Sequence, residues 1–151
     1  MDDDKQIIWG LYQDVVTQGR HHETQRLGLT NAVLVTAAGA LGLVSLDGKI
    51  TTADIPVGLF LLVLGITGSF FTLKHYERFR SHMEQASVYR TALNVPELRT
   101  LRDRARDVHA RSWSNGWKGT LRRTHLHWWW AGLHLVVSIL GVLVIVLALT
   151  S

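Results

Sequence analysis

Three runs of the chain are almost free of charge, and each is long enough to cross a lipid bilayer. Residues 27–46 and 55–73 contain no Asp, Glu, Lys or Arg, and in residues 128–150 the sole ionisable group is His134. At about 1.5 Å of rise per helical residue, each run covers the roughly 30 Å of a hydrocarbon core. The alternative is a set of helical hairpins buried in a water-soluble core. Three such helices in 151 residues leave too little polar surface to cover them. Although 19% of the residues are charged, the charges crowd between the apolar runs instead of alternating with them. The predicted fold class is therefore all-α: a polytopic membrane protein with three transmembrane helices and long helices extending into the cytoplasm.

The flanks agree with that assignment. Trp128, Trp129 and Trp130 open the third run, and Phe70, Phe71 and Tyr76 close the second, where aromatic rings favour the headgroup level. Eight residues, 47–54, join the first two runs, so those helices are expected to be adjacent and antiparallel. Lys5, Arg20 and Arg26 precede the first run, Lys49 alone lies in the short link, and twelve Lys and Arg lie between Lys74 and Arg123. By the positive-inside rule the middle segment and the amino end face the cytoplasm, while the 47–54 link and the carboxyl end lie outside. No signal peptide is expected, because the amino end is acidic and the first apolar run begins near Leu27. The opening Met1-Asp2-Asp3-Asp4-Lys5 looks like the end of an acidic protease-cleavage tag, and no role is assigned to it.

Four regions follow: a cytoplasmic amphipathic helix over 1–26, a transmembrane hairpin over 27–73, a basic helical cytoplasmic region over 74–127, and a third transmembrane helix over 128–151. The second helix is expected to run on past the membrane, because residues 74–93 lack Pro and Gly and place Tyr76, Phe79, Met83 and Ala86 on one stripe. A helix from Ile55 to Leu93 would be roughly 60 Å long and project about 25–30 Å. Asn94-Val95-Pro96-Glu97 reads as a break with Pro96 in the first turn of a new helix, which carries Leu98, Leu101, Ala105 and Val108 on one face. Residues 112–119 form a loop, and a last long helix is expected from Thr120 onwards. Ile8, Leu11, Tyr12 and Val15 make a short stripe ahead of the first run, with Gly19 as a hinge. Narrow stripes of this kind are typical of helix seams, so a homo-oligomer is expected.

Candidate functional residues fall into three sets. Small residues at helix-packing spacing, Ala38 with Gly42, Thr36 with Ala40, and Gly65 with Ser69, allow close backbone approach within or between subunits. His134, inside the third run, is expected to face a pore or another subunit, since ionisable groups at that depth avoid lipid. His21, His22, His75, His125 and His127 all fall at the cytoplasmic boundary. There they could hold a metal or titrate near neutral pH, or more simply hydrogen-bond headgroups and neighbours. No pair of them has the i, i+4 spacing of a metal site on one helix, and no metal or cofactor is predicted. Arg99, Arg102 and Arg106 are candidate contacts for a cytoplasmic protein partner or sensor. Their basic helix is explained by anionic lipid more simply than by nucleic acid.

No catalytic residue is predicted, and the chain is expected not to be an enzyme. It has no cysteine, no phosphate-cradling glycine loop and no Ser-His-Asp arrangement. Arg104 with His109, and Arg122 with His127, fit the Arg-x4-His spacing of one class of RNA-cleaving helical domains, but twelve Arg and eight His generate such spacings by chance.

The stretch from Lys74 to Arg90, KHYERFRSHMEQASVYR, together with the basic Arg20-His21-His22-Glu23-Thr24-Gln25-Arg26, resembles the SLATT family over about residues 15–95. These are bacterial two-transmembrane effectors of nucleotide-signalling defence systems, in which a short-linked transmembrane pair precedes a long helix. The run beginning at Trp128 is additional to that plan. The resemblance implies an effector that oligomerises, with a pore as one form of the assembly, on a signal from an upstream sensor, and it transfers no site residue. The expected function is thus a homo-oligomeric effector or pore of a bacterial cytoplasmic membrane, working through helix packing. An accessory subunit that anchors a soluble partner and a membrane-tethered ribonuclease using Arg104 and His109 are the alternatives.

Overall fold

The computed structural model describes residues 3–46, 48–93, 96–112 and 126–151, the side chains of 96–99, 109, 112 and 126 excepted. Among them every regular element is helical: α1 (Asp3–Val44), a 3-10 turn (Thr52–Asp54), α2 (Ile55–Ala92), α3 (Pro96–Ser112) and α4 (Leu126–Thr150). Three of these helices are long and apolar enough to cross a membrane, with mean hydropathies of 1.8, 2.0 and 2.8 in the apolar stretches of α1, α2 and α4. Ser112, expected to open a loop, is still helical in α3; the rest of that loop, 113–119, and the start of the last helix at Thr120 fall outside the described residues.

Local chemistry sets the ends. Asp3 and Asp4 sit in the first turn of α1, where carboxylates oppose the positive end of the helix dipole. At its other end Ser45 N–H donates to Leu41 O and Leu46 N–H to Leu43 O, and Gly48 then takes a φ of 67° that only glycine adopts freely. Thr51 N–H donates to the Asp54 carboxylate at 2.8 Å, closing the turn that launches α2. Nothing interrupts α2 for its 38 residues, and its end at Ala92 is within one residue of the expected one.

The chain divides into two compact units, one of residues 1–20 with 79–126, the other of 21–78 with 127–151. In the first, Val15 and Ala86 are buried. Gly19 was expected to hinge, yet α1 continues through it. It packs instead against Phe79, His82 and Met83. Leu11, expected on the packed stripe, is exposed, as are Leu101 and Val108 on α3. A Cβ at Gly19 would stand 2.6 Å from Met83 Cε, the far end of a flexible side chain that can swing aside. Gly19→Ala is therefore expected to stabilise the protein by about 0.5–1 kcal/mol, through helix propensity. Thermal unfolding followed by circular dichroism checks this, and a lower melting temperature would contradict it.

The second unit is a three-helix bundle with small and polar residues inside. Its α1 seam is Arg26, Thr30, Val33, Ala37, Ala40 and Val44, all buried at steps of four and three. From α2 come Gly58, Leu61, Gly65, Gly68 and Thr72, and from α4 His134, Val137, Gly141, Val144 and Ala148. The glycines bring α2 and α4 into backbone contact: a Cβ on Gly141 would lie 2.6 Å from Gly58 O, and one on Gly58 2.9 Å from Gly141 O. Large apolar side chains such as Phe60, Val63, Phe70, Leu135, Ile139 and Leu143 point outward. Such exposure is abnormal for a protein in water and ordinary for one in lipid, where small residues at the seams let helices approach. Ser151 Oγ donates to Ile50 O at 2.8 Å, so the carboxyl end and the α1–α2 link share one end of the bundle.

Candidate functional site: the polar end of the three-helix unit

The seams change character along the bundle. Toward the Gly48 end the interior is apolar, with Val33, Ala37, Ala40, Leu61 and Val137 as its core. Toward the other end, three successive levels, one helical turn apart on each helix, are polar. The register of the seams places Thr30, Gly68 and His134 at the deepest, then Arg26, Thr72 and Trp130, then His22 and His75.

At the deepest level His134 is completely buried, and its Nε2 lies 3.1 Å from Thr30 Oγ1. The imidazole lies against Gly68, where a Cβ would collide with the ring at Nδ1. Only glycine leaves room for it. Among the described residues Nδ1 has no hydrogen-bond partner, nor has the buried Thr72 Oγ1 one turn away. Ser138 Oγ, one turn along α4, donates to Leu62 O at 3.3 Å, and Ser69 Oγ donates to Ala131 O at 3.4 Å, so both hydroxyls tie α2 to α4. His134, expected to face a pore or another subunit, is thus enclosed within its own chain. The reason is steric as well as polar: the glycine surface of α2 and the Thr30 hydroxyl offer the ring a slot within its own chain.

At the second level Arg26 is only 6% exposed. Its guanidinium stands 5.4 Å from the centre of the Trp130 ring and 3.4 Å from the Glu23 carboxylate. Stacking on an indole lets a charged group enter an apolar surrounding at reduced cost, and the ion pair completes its neutralisation. Among the described residues Arg26 Nε has no hydrogen-bond partner.

At the outermost level His22 Nδ1 and His75 Nδ1 are 3.3 Å apart. His127 stacks on Tyr76 with ring centres 4.0 Å apart and planes at 17°. His21 points outward, held by Gln25 at 2.9 Å. Of the five boundary histidines, two therefore meet directly, a third packs on the residue after His75, the fourth turns away, and His125 lies outside the described residues. No group of three His, Asp or Glu side chains converges among the described residues. Nearby, Lys74 donates to Glu77 at 2.6 Å and holds that carboxyl below the usual range.

The small-residue candidates part company. Gly65 is packed so tightly that a Cβ there would lie 2.5 Å from both His134 O and Ser138 N. Ala38 and Gly42 are exposed on the far side of α1, and a Cβ on Gly42 would meet nothing within 4 Å. Between α1 and α2 on the apolar side lies an open groove of about 420 Å³, walled by Thr36, Gly39, Leu43, Pro56 and Phe60. On α3, Arg102 pairs with Asp103 at 3.2 Å and Arg106 is exposed; the Arg99 and His109 side chains lie outside the described set. Sequence reasoning missed Arg26, Thr30, Gly68 and Thr72. Their three-and-four spacing from His22, Gly65 and one another was the available signal.

Comparisons with models of protein families, with curated proteins and with solved structures returned no match.

Proposed function

We propose that the chain is a non-enzymatic, homo-oligomeric protein of a bacterial cytoplasmic membrane that alters permeability when its copies assemble. One observation carries this reading. On the face of α1 turned away from its own bundle, Gly28, Asn31, Val35, Ala38, Gly42 and Ser45 recur at steps of three and four, and all are exposed. This is a second helix seam, built of small residues around one amide, and no segment of the described chain covers it. Asn31 makes no hydrogen bond within the described residues, although it lies in a run without charge. An amide left unpaired in hydrocarbon is costly, whereas the same amide of a second copy offers it both a donor and an acceptor. A single Asn at a seam position sets register and copy number in helix assemblies.

The interior of each three-helix unit is filled by Leu61, Val137 and their neighbours, so a conducting path would run between copies. The excess of Lys and Arg in 74–127 supports a topology with that region and the amino end in the cytoplasm and the 47–54 link and Ser151 outside. The resemblance of residues 15–95 to SLATT effectors supports a role as a signal-triggered effector in anti-phage defence. The energy would come from helix packing, without covalent chemistry.

The test is the mass of the full-length protein in detergent, by light scattering, beside the membrane potential of cells expressing it. The expected result is an oligomer that collapses the potential, with Asn31→Leu reduced to a monomer of unchanged helix content and no effect on the potential. A monomeric wild-type protein would overturn the reading. A second reading, an anchor for a soluble partner, is favoured by one feature: Leu101, Ala105 and Val108 form an exposed apolar stripe on α3 beside Arg102 and Arg106. Co-purification of a protein lost on Arg102→Glu with Arg106→Glu would favour it.

A further inference from the structure

We propose that Arg26, Thr72 and Trp130 form a buried site for one small monovalent anion of chloride size, at the polar end of the three-helix unit. Each residue comes from a different helix, and the register of the seams puts all three on one level. Arg26 is 6% exposed and Thr72 is fully buried. Arg26 Nε, Thr72 Oγ1 and Trp130 Nε1 are all shielded from solvent, and among the described residues none of the three has a hydrogen-bond partner. A buried donor without an acceptor is costly, and here three share one level.

Thr72 departs from the habit of its own chain. The hydroxyls of Thr17, Ser45, Thr91 and Thr150 each donate to the carbonyl four residues earlier in their helix. That bond is open to any helical Ser or Thr. Thr72 does not make it, although it is fully buried, where an unmet hydroxyl costs most. Its hydroxyl is turned off its own helix, on the seam of α2 that faces the bundle interior.

The donor set selects the ligand. A guanidinium N–H and an indole N–H can only donate, and the threonine hydroxyl can donate as well. Three donors suit an acceptor that carries negative charge. The surrounding charge agrees: at this end of the unit the cations Arg26, Lys74 and Arg78 stand against the carboxylates Glu23 and Glu77, so one positive charge is left over. Glu77 is taken by Lys74. Glu23, 47% exposed, offsets Arg26 from the solvent side and reaches only Nη2, at 3.4 Å. The neighbouring levels limit the size. One turn deeper, His134 closes the bundle against Thr30 and Gly68, and one turn outward His22 and His75 meet at 3.3 Å. Between them lie about two helical turns, roughly 11 Å, which the guanidinium and the indole largely fill. A halide suits such a place, and a lipid phosphate with its glycerol does not. The site binds its ion whether or not copies of the protein assemble.

The experiment uses full-length protein in micelles of an uncharged detergent, with sodium chloride replacing sodium gluconate at constant ionic strength and pH. The melting temperature, followed by circular dichroism, should rise with chloride and level off, as for a ligand that binds the folded state. Thr72→Val keeps the shape and loses the hydroxyl, and Trp130→Phe keeps an aromatic ring beside Arg26 and loses the N–H. Each should raise the half-effective chloride concentration about tenfold or more, the loss of one hydrogen bond to a charged partner. Thr72→Ser should restore the wild-type response. Broadening of the ³⁵Cl resonance should follow the same order among the variants. Chloride and gluconate acting alike on the wild type would overturn the proposal and leave the three donors to a neutral acceptor such as water. An equal chloride response in the wild type, Thr72→Val and Trp130→Phe would overturn it by placing the ion elsewhere. Stabilisation by added phosphatidylglycerol and not by chloride would also overturn it, in favour of a lipid headgroup.

Discussion

Gly65→Val should part α2 from α4 and cost the fold about 3 kcal/mol or more, the upper end of what overpacking a core does. At this glycine the atoms a new Cβ would meet are His134 O and Ser138 N, both at 2.5 Å, together with the Ser138 hydroxyl. Two of the three are backbone of the facing helix, which cannot rotate away as a side chain can. Relief requires moving α4 bodily, and that movement strips contact from the reciprocal Gly58–Gly141 approach farther along the same interface. It also draws Ser138 Oγ from Leu62 O and Ser69 Oγ from Ala131 O. Gly42→Val is the matched control, the same change on an apolar helix where the added carbon meets nothing within 4 Å. In detergent, Gly65→Val should melt well below the wild type while Gly42→Val melts close to it. Should Gly42→Val keep its melting temperature and lose its oligomeric mass, the outward seam of α1 is an interface as proposed. Equal melting temperatures for Gly65→Val and the wild type would show that α2 and α4 do not meet through these glycines.

The contrast between Gly65 and Gly42 also marks how far the sequence could be read. The three apolar runs, the unbroken length of α2 and the restart at Pro96 were legible, because each depends on residues next to one another in the chain. Orientation of the helices was not. In a soluble helix the buried face is the apolar one, so periodicity points inward. Here Leu135 and Ile139, which point out, are at least as apolar as Val137, which points in. On α2 and α4 side-chain size, and not hydropathy, distinguishes the two faces. Spacing alone therefore ranked Ala38 with Gly42 beside Gly65 with Ser69, although among the described residues the first pair is exposed and the second is packed against α4. Arg26 shows the complementary blind spot. Counted as one of the cations flanking the first run, it is in fact drawn under Trp130, a partner 104 residues later in the chain that no local pattern could supply.

His134→Ala should be the most damaging single change at the polar level, with a loss of about 2–4 kcal/mol in unfolding free energy, comparable to emptying a buried leucine site. The hydrogen bond is the smaller part of that loss. Bonds between membrane helices average about 0.6 kcal/mol, because the separated helices find other partners. The larger part is volume, since the imidazole fills a slot that Gly68 leaves open and no neighbour can occupy. Thr30→Val isolates the polar term. It keeps the shape of the threonine and leaves the imidazole, whose Nδ1 already lacks a partner among the described residues, with no hydrogen bond to them. A cost of about 1–3 kcal/mol is expected for the orphaned group. Adding His134→Leu to Thr30→Val should then recover most of it, because the double variant has an apolar group on each side and no unsatisfied atom. The same geometry assigns the proton. If Nε2 accepted from Thr30, an N–H would be stranded at Nδ1 against Gly68; with the proton on Nε2, donating to Thr30 Oγ1, only a lone pair is stranded. The ¹⁵N shifts of His134 should show the Nε2–H form in the wild type. A Thr30→Val, His134→Leu protein less stable than Thr30→Val alone would mean that the imidazole ring supports the bundle through its shape and not through this bond.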